Sequence, residues 1–137
     1  MERVTGIWLD FDKAYIYHLQ NGENEFLKVD SGVEHHNPKG GSGNSVPYGP
    51  QEAISEKHYL ERRKHQTKDY YADIHTRLGD SSEVVIMGPA EAKLGLHRYL
   101  ESINHAKFKL HAALTMDSMT ENQVKAAIRD FYQSSGD

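Results

Sequence analysis

Between Lys57 and Lys68 the chain carries Lys57, Arg62, Arg63, Lys64 and Lys68 against a single carboxylate, Glu61, with His58 and His65 among them. Just upstream, Val33 to Pro50 holds three of the four prolines and four of the eleven glycines, together with His35, His36 and Lys39. Cations fixed on a projecting element suit a phosphate backbone, and Tyr48, Tyr59, Tyr70 and Tyr71 offer rings on which unpaired bases stack. The constellation predicts an RNA-facing surface built from His36, Lys39, Lys57, Arg62, Arg63, Lys64 and Lys68. The competing reading is a solvated charged face whose tyrosines form its buried edge. A net charge of −4 argues against indiscriminate nucleic-acid binding.

Other chemistries are less well supplied. Asp10 and Asp12 follow the first apolar run, where a two-metal nuclease would want carboxylates, but the later run ends in Met87-Gly88-Pro89, where their partner is missing. Capping of a turn is the expected role of the two aspartates. The nine histidines show no H-E-x-x-H spacing, and there is no cysteine, so no metal site is expected. Ser42 and Ser45 lack a G-x-S-x-G frame, and the glycines fit neither phosphate-cradle pattern. Nothing in these motifs requires a cofactor.

The elements that must position the cationic surface follow from periodicity. Val4 to Leu9 reads as a strand, Ala14 to Leu19 as a second, and Asn21-Gly22 as the hairpin turn into a third at Glu25 to Val29. Residues 33–51 form a Gly/Pro-rich loop, longer than most connections inside a domain. Glu52 to Leu78, free of Gly and Pro, is one helix of roughly 40 Å, too long to be wholly buried. Leu60, Lys64, Thr67, Tyr71, Ile74 and Leu78 share one of its faces, apolar only in the C-terminal half. Val84 to Met87 is a continuous apolar run, as in a strand covered on both sides. A helix over Ala90 to Ser102, an alternating strand over Ala106 to Leu114 and a helix over Thr120 to Tyr132 complete the series. Thr120 and Gln123 form a capping box for the last helix.

The expected architecture is an α/β (α+β) fold: a mixed five-stranded sheet with packed helices in the ribonuclease H-like order βββαβαβα. At 137 residues and 15.6 kDa the chain is expected to be a single domain, 1–137. The basic residues concentrate in 35–78, with seven Lys/Arg against five Asp/Glu. No apolar run approaches membrane-spanning length, so a cytoplasmic protein with no membrane partner is expected.

Taken along the chain, the pattern resembles the central domain of the archaeal and eukaryotic class I release factors and of Pelota, with their compact bacterial relatives. The residues that carry the resemblance are Gly6-Ile7-Trp8-Leu9-Asp10, the loop His35-His36-Asn37-Pro38-Lys39-Gly40-Gly41, the helix with Arg62-Arg63 and Tyr70-Tyr71, and Val84 to Met87 followed by Gly88-Pro89-Ala90-Glu91-Ala92-Lys93. The resemblance implies a ribosome- or tRNA-binding translation factor acting in release or rescue of stalled ribosomes. In the release factors a Gly-Gly-Gln tip helps water attack the peptidyl-tRNA ester; here Gly40 and Gly41 match, Ser42 follows, and Gln51 lies ten residues past Gly41. Pelota-like members lack the glutamine motif and do not hydrolyse the ester. The candidate tip is therefore Gly40, Gly41 and Gln51, with ester hydrolysis and a non-catalytic protein-interaction adaptor as the alternative functions. With no codon-reading or GTPase-docking segment in the chain, stop-codon decoding by it alone is not expected.

Overall fold

Strand β1 (Val4–Leu9) lies at the middle of the sheet, antiparallel to β2 (Lys13–Gln20) with Val4 opposite Leu19 and Leu9 opposite Ala14. Asp10 makes the tight connection: its carboxylate accepts the backbone N–H of Asp12 at 2.8 Å and of Lys13 at 3.0 Å. This is the turn-capping role expected from the sequence. Asn21 and Gly22, with φ of 51° and 84°, turn β2 into β3 (Glu23–Asp30), the backbone that a two-residue hairpin of this type requires.

The remaining elements are α1 (Pro50–Leu78), β4 (Glu83–Gly88), α2 (Ala92–Ile103), β5 (Lys109–Leu110), β6 (Leu114–Thr115) and α3 (Glu121–Ser135). A computed structural model describes residues 3–34, 50–104 and 107–135, without the side chains of 50–55 and 134–135. β4 runs parallel to β1, and the sheet order is β3-β2-β1-β4-β5, with β6 also on β4. The mixed sheet and three helices are the class expected. No described helix is long and apolar enough to cross a membrane.

Alternation along the two central strands divides the core in two. Ile7, Leu9 and Ile86 face α1 and α2, where Tyr70, Tyr71, Ile74, Leu78, Leu96 and Leu100 are buried. Trp8, Val85 and Met87 face α3, which contributes Val124 and Ile128. Coverage on both sides explains why Val84 to Met87 is apolar without interruption. Thr120 caps α3 as its sequence signature predicts: its hydroxyl accepts the Gln123 N–H at 3.2 Å, and the Gln123 side chain accepts the Thr120 N–H at 2.9 Å.

The single strand expected over Ala106 to Leu114 is instead two short ones. Glu83 pairs with Lys109, an offset of 26, whereas Met87 pairs with Leu114, an offset of 27, so one extra residue is accommodated between them. That insertion reverses which way the chain faces. Leu110 and Ala113 pack on the α1/α2 side, while Leu114 and Met116 pack on the α3 side, so Leu110 and Leu114 do not share a face as strict alternation predicts. His111 sits at the irregularity, its Nε2 2.8 Å from Glu83 Oε1 and its ring edge-on to Phe131 at 5.0 Å.

A buried polar chain joins the C-terminal end of α1 to the sheet. His18 Nε2–H donates to the Arg77 carbonyl at 3.1 Å, and the Thr5 hydroxyl lies 2.7 Å from His18 Nδ1 and 2.6 Å from the Ser81 hydroxyl. Burial, helped by the Arg3 guanidinium, holds His18 below the usual histidine range; the Arg77 carbonyl and the carboxylates of Glu25 and Asp80 oppose this. With the folded-state value depressed, the unfolded chain binds more protons, so stability is retained above about pH 6.5 and declines as pH falls through it. Urea midpoints measured at pH 5.5 and 7.5 should therefore differ, and the difference should shrink in His18→Gln. An unchanged difference would remove His18 as its source.

Candidate nucleic-acid interface

Helix α1 is two half-helices with different surroundings. From Tyr70 onward its apolar face enters the core, and upstream of Tyr70 no described side chain of it is buried. Over 29 residues it extends about 44 Å, and its upstream half is exposed or only half-buried, as its composition predicts.

Tyr70 and Tyr71 are not base-stacking platforms: of the two readings that the sequence left open, both follow the buried edge. Both belong to the buried half: the Tyr70 hydroxyl donates to the Asp10 carbonyl at 2.9 Å and the Tyr71 hydroxyl to the Ala92 carbonyl at 3.3 Å. Their rings stack on each other, and Tyr71 also meets Tyr99 with centroids 5.9 Å apart. Burial raises the pKa of both phenols, so they act as neutral struts. Tyr59 is half-buried, its hydroxyl 3.5 Å from the Glu34 carbonyl. Tyr48 lies outside the described residues.

The cations separate into two sets. Arg62 grips Glu34 with two bonds, Nε to Oε2 at 2.9 Å and Nη2 to Oε1 at 3.1 Å. Arg63 donates to the Glu34 carbonyl at 3.0 Å and lays its guanidinium 4.9 Å from the Phe11 ring centroid. Gln66 completes the clamp, accepting the Glu34 N–H and donating to its carboxylate, both at 2.9 Å. The bonds from Arg62 and Gln66 hold the Glu34 carboxyl below the usual carboxylate range, and Glu34 in turn raises Arg62. Glu34, the last described residue before the glycine-rich segment, is thus pinned at the level of residues 62–66. The described chain resumes at Pro50, about 20 Å back along the same helix.

Lys57, Lys64 and Lys68 form the second set. They are exposed and make no ion pair with any described residue. Lys64 and Lys68 border a groove of about 560 Å³ between α1 and α2, lined also by Leu60, Arg63, Thr67, Tyr71, Gly95, Arg98 and Tyr99. Leu60, Lys64, Thr67 and Tyr71 are the α1 face marked by periodicity. Its lower half is sealed by α2 and its upper half is open. At Gly95, a Cβ would collide with the Tyr71 hydroxyl, so the absence of a side chain lets the helices approach at the groove floor.

His36, Lys39, Gly40 and Gly41 lie outside the described residues. Gln51, expected at the end of the loop, has helical backbone in the first turn of α1, because Pro50 occupies a first-turn position where its missing N–H leaves no bond unmade. Among the described residues no group of three or more His, Asp or Glu converges to hold a metal ion. Sequence reasoning missed Glu34, which Arg62, Arg63 and Gln66 hold from 28 to 32 positions away, and Gln66 itself, with no local spacing to betray the set. It also missed Arg98, whose place four residues after exposed Leu94 and next to Tyr99 was the only signal.

The fold thus defined, three antiparallel strands extended by three parallel ones with helices on both sides, has solved counterparts. No family model matches the chain, and no curated protein matches its sequence. The fold is similar to part of the Pelota protein of Thermoplasma acidophilum, with a TM-score of 0.52 and 16% identity over 98% of this chain and 33% of that one. An archaeal protein is similar at TM-score 0.51 and 15% identity, over 92% of this chain and 32% of its own. A weaker likeness, TM-score 0.45 at 18% identity over 98% of this chain and 41% of the other, is to the archaeal translation termination factor aRF1. The chain spans about a third of the length of the first two. At such identities the likeness establishes a Pelota-like fold.

Proposed function

We propose that this fold corresponds to the central domain of Pelota and the release factors, and that the chain binds the ribosome or tRNA in the cytoplasm, in release or rescue of stalled translation. The observation that carries the reading is the set Lys57, Lys64 and Lys68 on the exposed half of α1, which make no ion pair with any described residue, beside the anchored root of the glycine-rich segment. These lysines contact phosphate; His36 and Lys39 add to the surface, and Gly40 and Gly41 form the approaching tip. Ser42 after the two glycines and the helical position of Gln51 favour binding without ester hydrolysis.

Arg62 and Arg63 contribute charge but are poor positions for a test, because reversing them also breaks the Glu34 clamp. The triple substitution Lys57→Glu, Lys64→Glu, Lys68→Glu leaves that clamp and the core untouched. Co-sedimentation of the wild type with ribosomes should weaken as salt rises, and the triple variant should lose at least about tenfold in affinity with a flatter salt dependence. Equal co-sedimentation of the two proteins would overturn the reading.

A further inference from the structure

The groove between α1 and α2 contains more than a phosphate surface needs. Three exposed cations reach it from two helices, Lys64 and Lys68 from α1 and Arg98 from α2, and none of them pairs with a described carboxylate. Among the described residues no acidic side chain lines it, although the chain as a whole is acidic, so its charge is complementary to an anion. Its volume of about 560 Å³ falls within the range of small-ligand sites.

The walls are also apolar. Leu60, at 56% the most exposed of the large hydrophobic side chains, stands on one side. Half-buried Tyr99 stands on the other, held by its contact with Tyr71, whose hydroxyl fills the space that a side chain at residue 95 would take. The complementary ligand therefore offers both negative charge and apolar surface. A duplex presents phosphates but keeps its bases stacked inside, whereas an unpaired nucleotide presents both at once.

We propose that this groove takes an unpaired base of single-stranded RNA, with the base between Leu60 and Tyr99 and its flanking phosphates on Lys64, Lys68 and Arg98. The proposal rests on the RNA-binding reading above and narrows its ligand from any phosphate backbone to a single-stranded segment. Arg63 serves as a wall, since its guanidinium is occupied by Phe11 and the Glu34 carbonyl.

The test uses the full chain and fluorescence anisotropy with four labelled probes: a ten-nucleotide oligoadenylate, an abasic oligomer of the same length, an RNA hairpin without unpaired overhangs, and a polyglutamate peptide of matched charge. Oligoadenylate should bind about tenfold more tightly than the abasic oligomer, as expected where one base gains an apolar and aromatic site. Arg98→Glu should weaken oligoadenylate about tenfold. Leu60→Ser, at an exposed position, should weaken it severalfold while leaving the abasic oligomer unchanged. Equal binding of the abasic oligomer or the hairpin would overturn the proposal, as would tighter binding of polyglutamate, which would mark an acidic-peptide site. Ribosome co-sedimentation that survives Arg98→Glu and Leu60→Ser but is lost in the triple lysine variant would sink the groove and leave the broader reading standing.

Discussion

Trp8→Ala is expected to cost about 4 kcal/mol, a large part of the total stability of a domain this size. Trp8 is 1% exposed and lies at the centre of the side covered by α3. Its ring packs against Tyr15 with centroids 5.8 Å apart, and its indole N–H donates to the Asp117 carbonyl at 3.2 Å. Truncation leaves a cavity beneath α3, against a strand that ladder bonds hold on both sides, and removes the bond to the Asp117 carbonyl. Because Trp8 is the only tryptophan, the measurement must be far-ultraviolet circular dichroism in urea rather than fluorescence. A loss below about 1 kcal/mol would mean that α3 does not close over Trp8 as described.

The second large effect is expected at Gly88, where β4 ends. A Cβ there would be driven into the Leu9 carbonyl oxygen and would sit 3.6 Å from Lys93 Cβ. The obstruction is backbone in the partner central strand, fixed by the pairing of Trp8 with Met87, so no rotamer change relieves it. Gly88→Ala should cost about 3 kcal/mol and lower the melting temperature by roughly 10 °C. The displacement passes into α2, which begins at Ala92, so the same variant should also disturb the wall carrying Arg98 and Tyr99. A melting temperature within a degree or two of wild type would contradict the close approach.

Much of this arrangement was legible in the residues because the relevant signals are local. Alternation placed the first three strands, Asn21-Gly22 placed their hairpin, and the uninterrupted run Val84 to Met87 announced a strand covered on both sides. The change of character along α1 was also readable, since Tyr70, Tyr71, Ile74 and Leu78 are apolar where Leu60, Lys64 and Thr67 are mixed. What escaped depends on distant partners. The extra residue before Leu114 is set by β4 and by His111 meeting Glu83 and Phe131, not by anything within Ala106 to Leu114. The two readings of the tyrosines stayed open because ring count and spacing are the same for a stacking surface and for a strut. The division of the cations into clamped arginines and lysines with no ion pair among the described residues depends on Glu34, whose partners lie 28 to 32 positions away.

The same extra residue bears on how copies of this chain behave at high concentration. One margin of the sheet is β5 and β6, two-residue pieces whose hydrogen-bonding rows are out of step with each other, and the opposite margin, β3, carries Glu23, Glu25, Lys28 and Asp30 along its length. Neither offers a long, flat, uncharged row of open amides and carbonyls for a foreign strand to extend. Recruitment of further chains into a growing fibril is blocked at both sides, so a concentrated solution should remain clear of cross-β deposits even though the central strands are as apolar as those that form them.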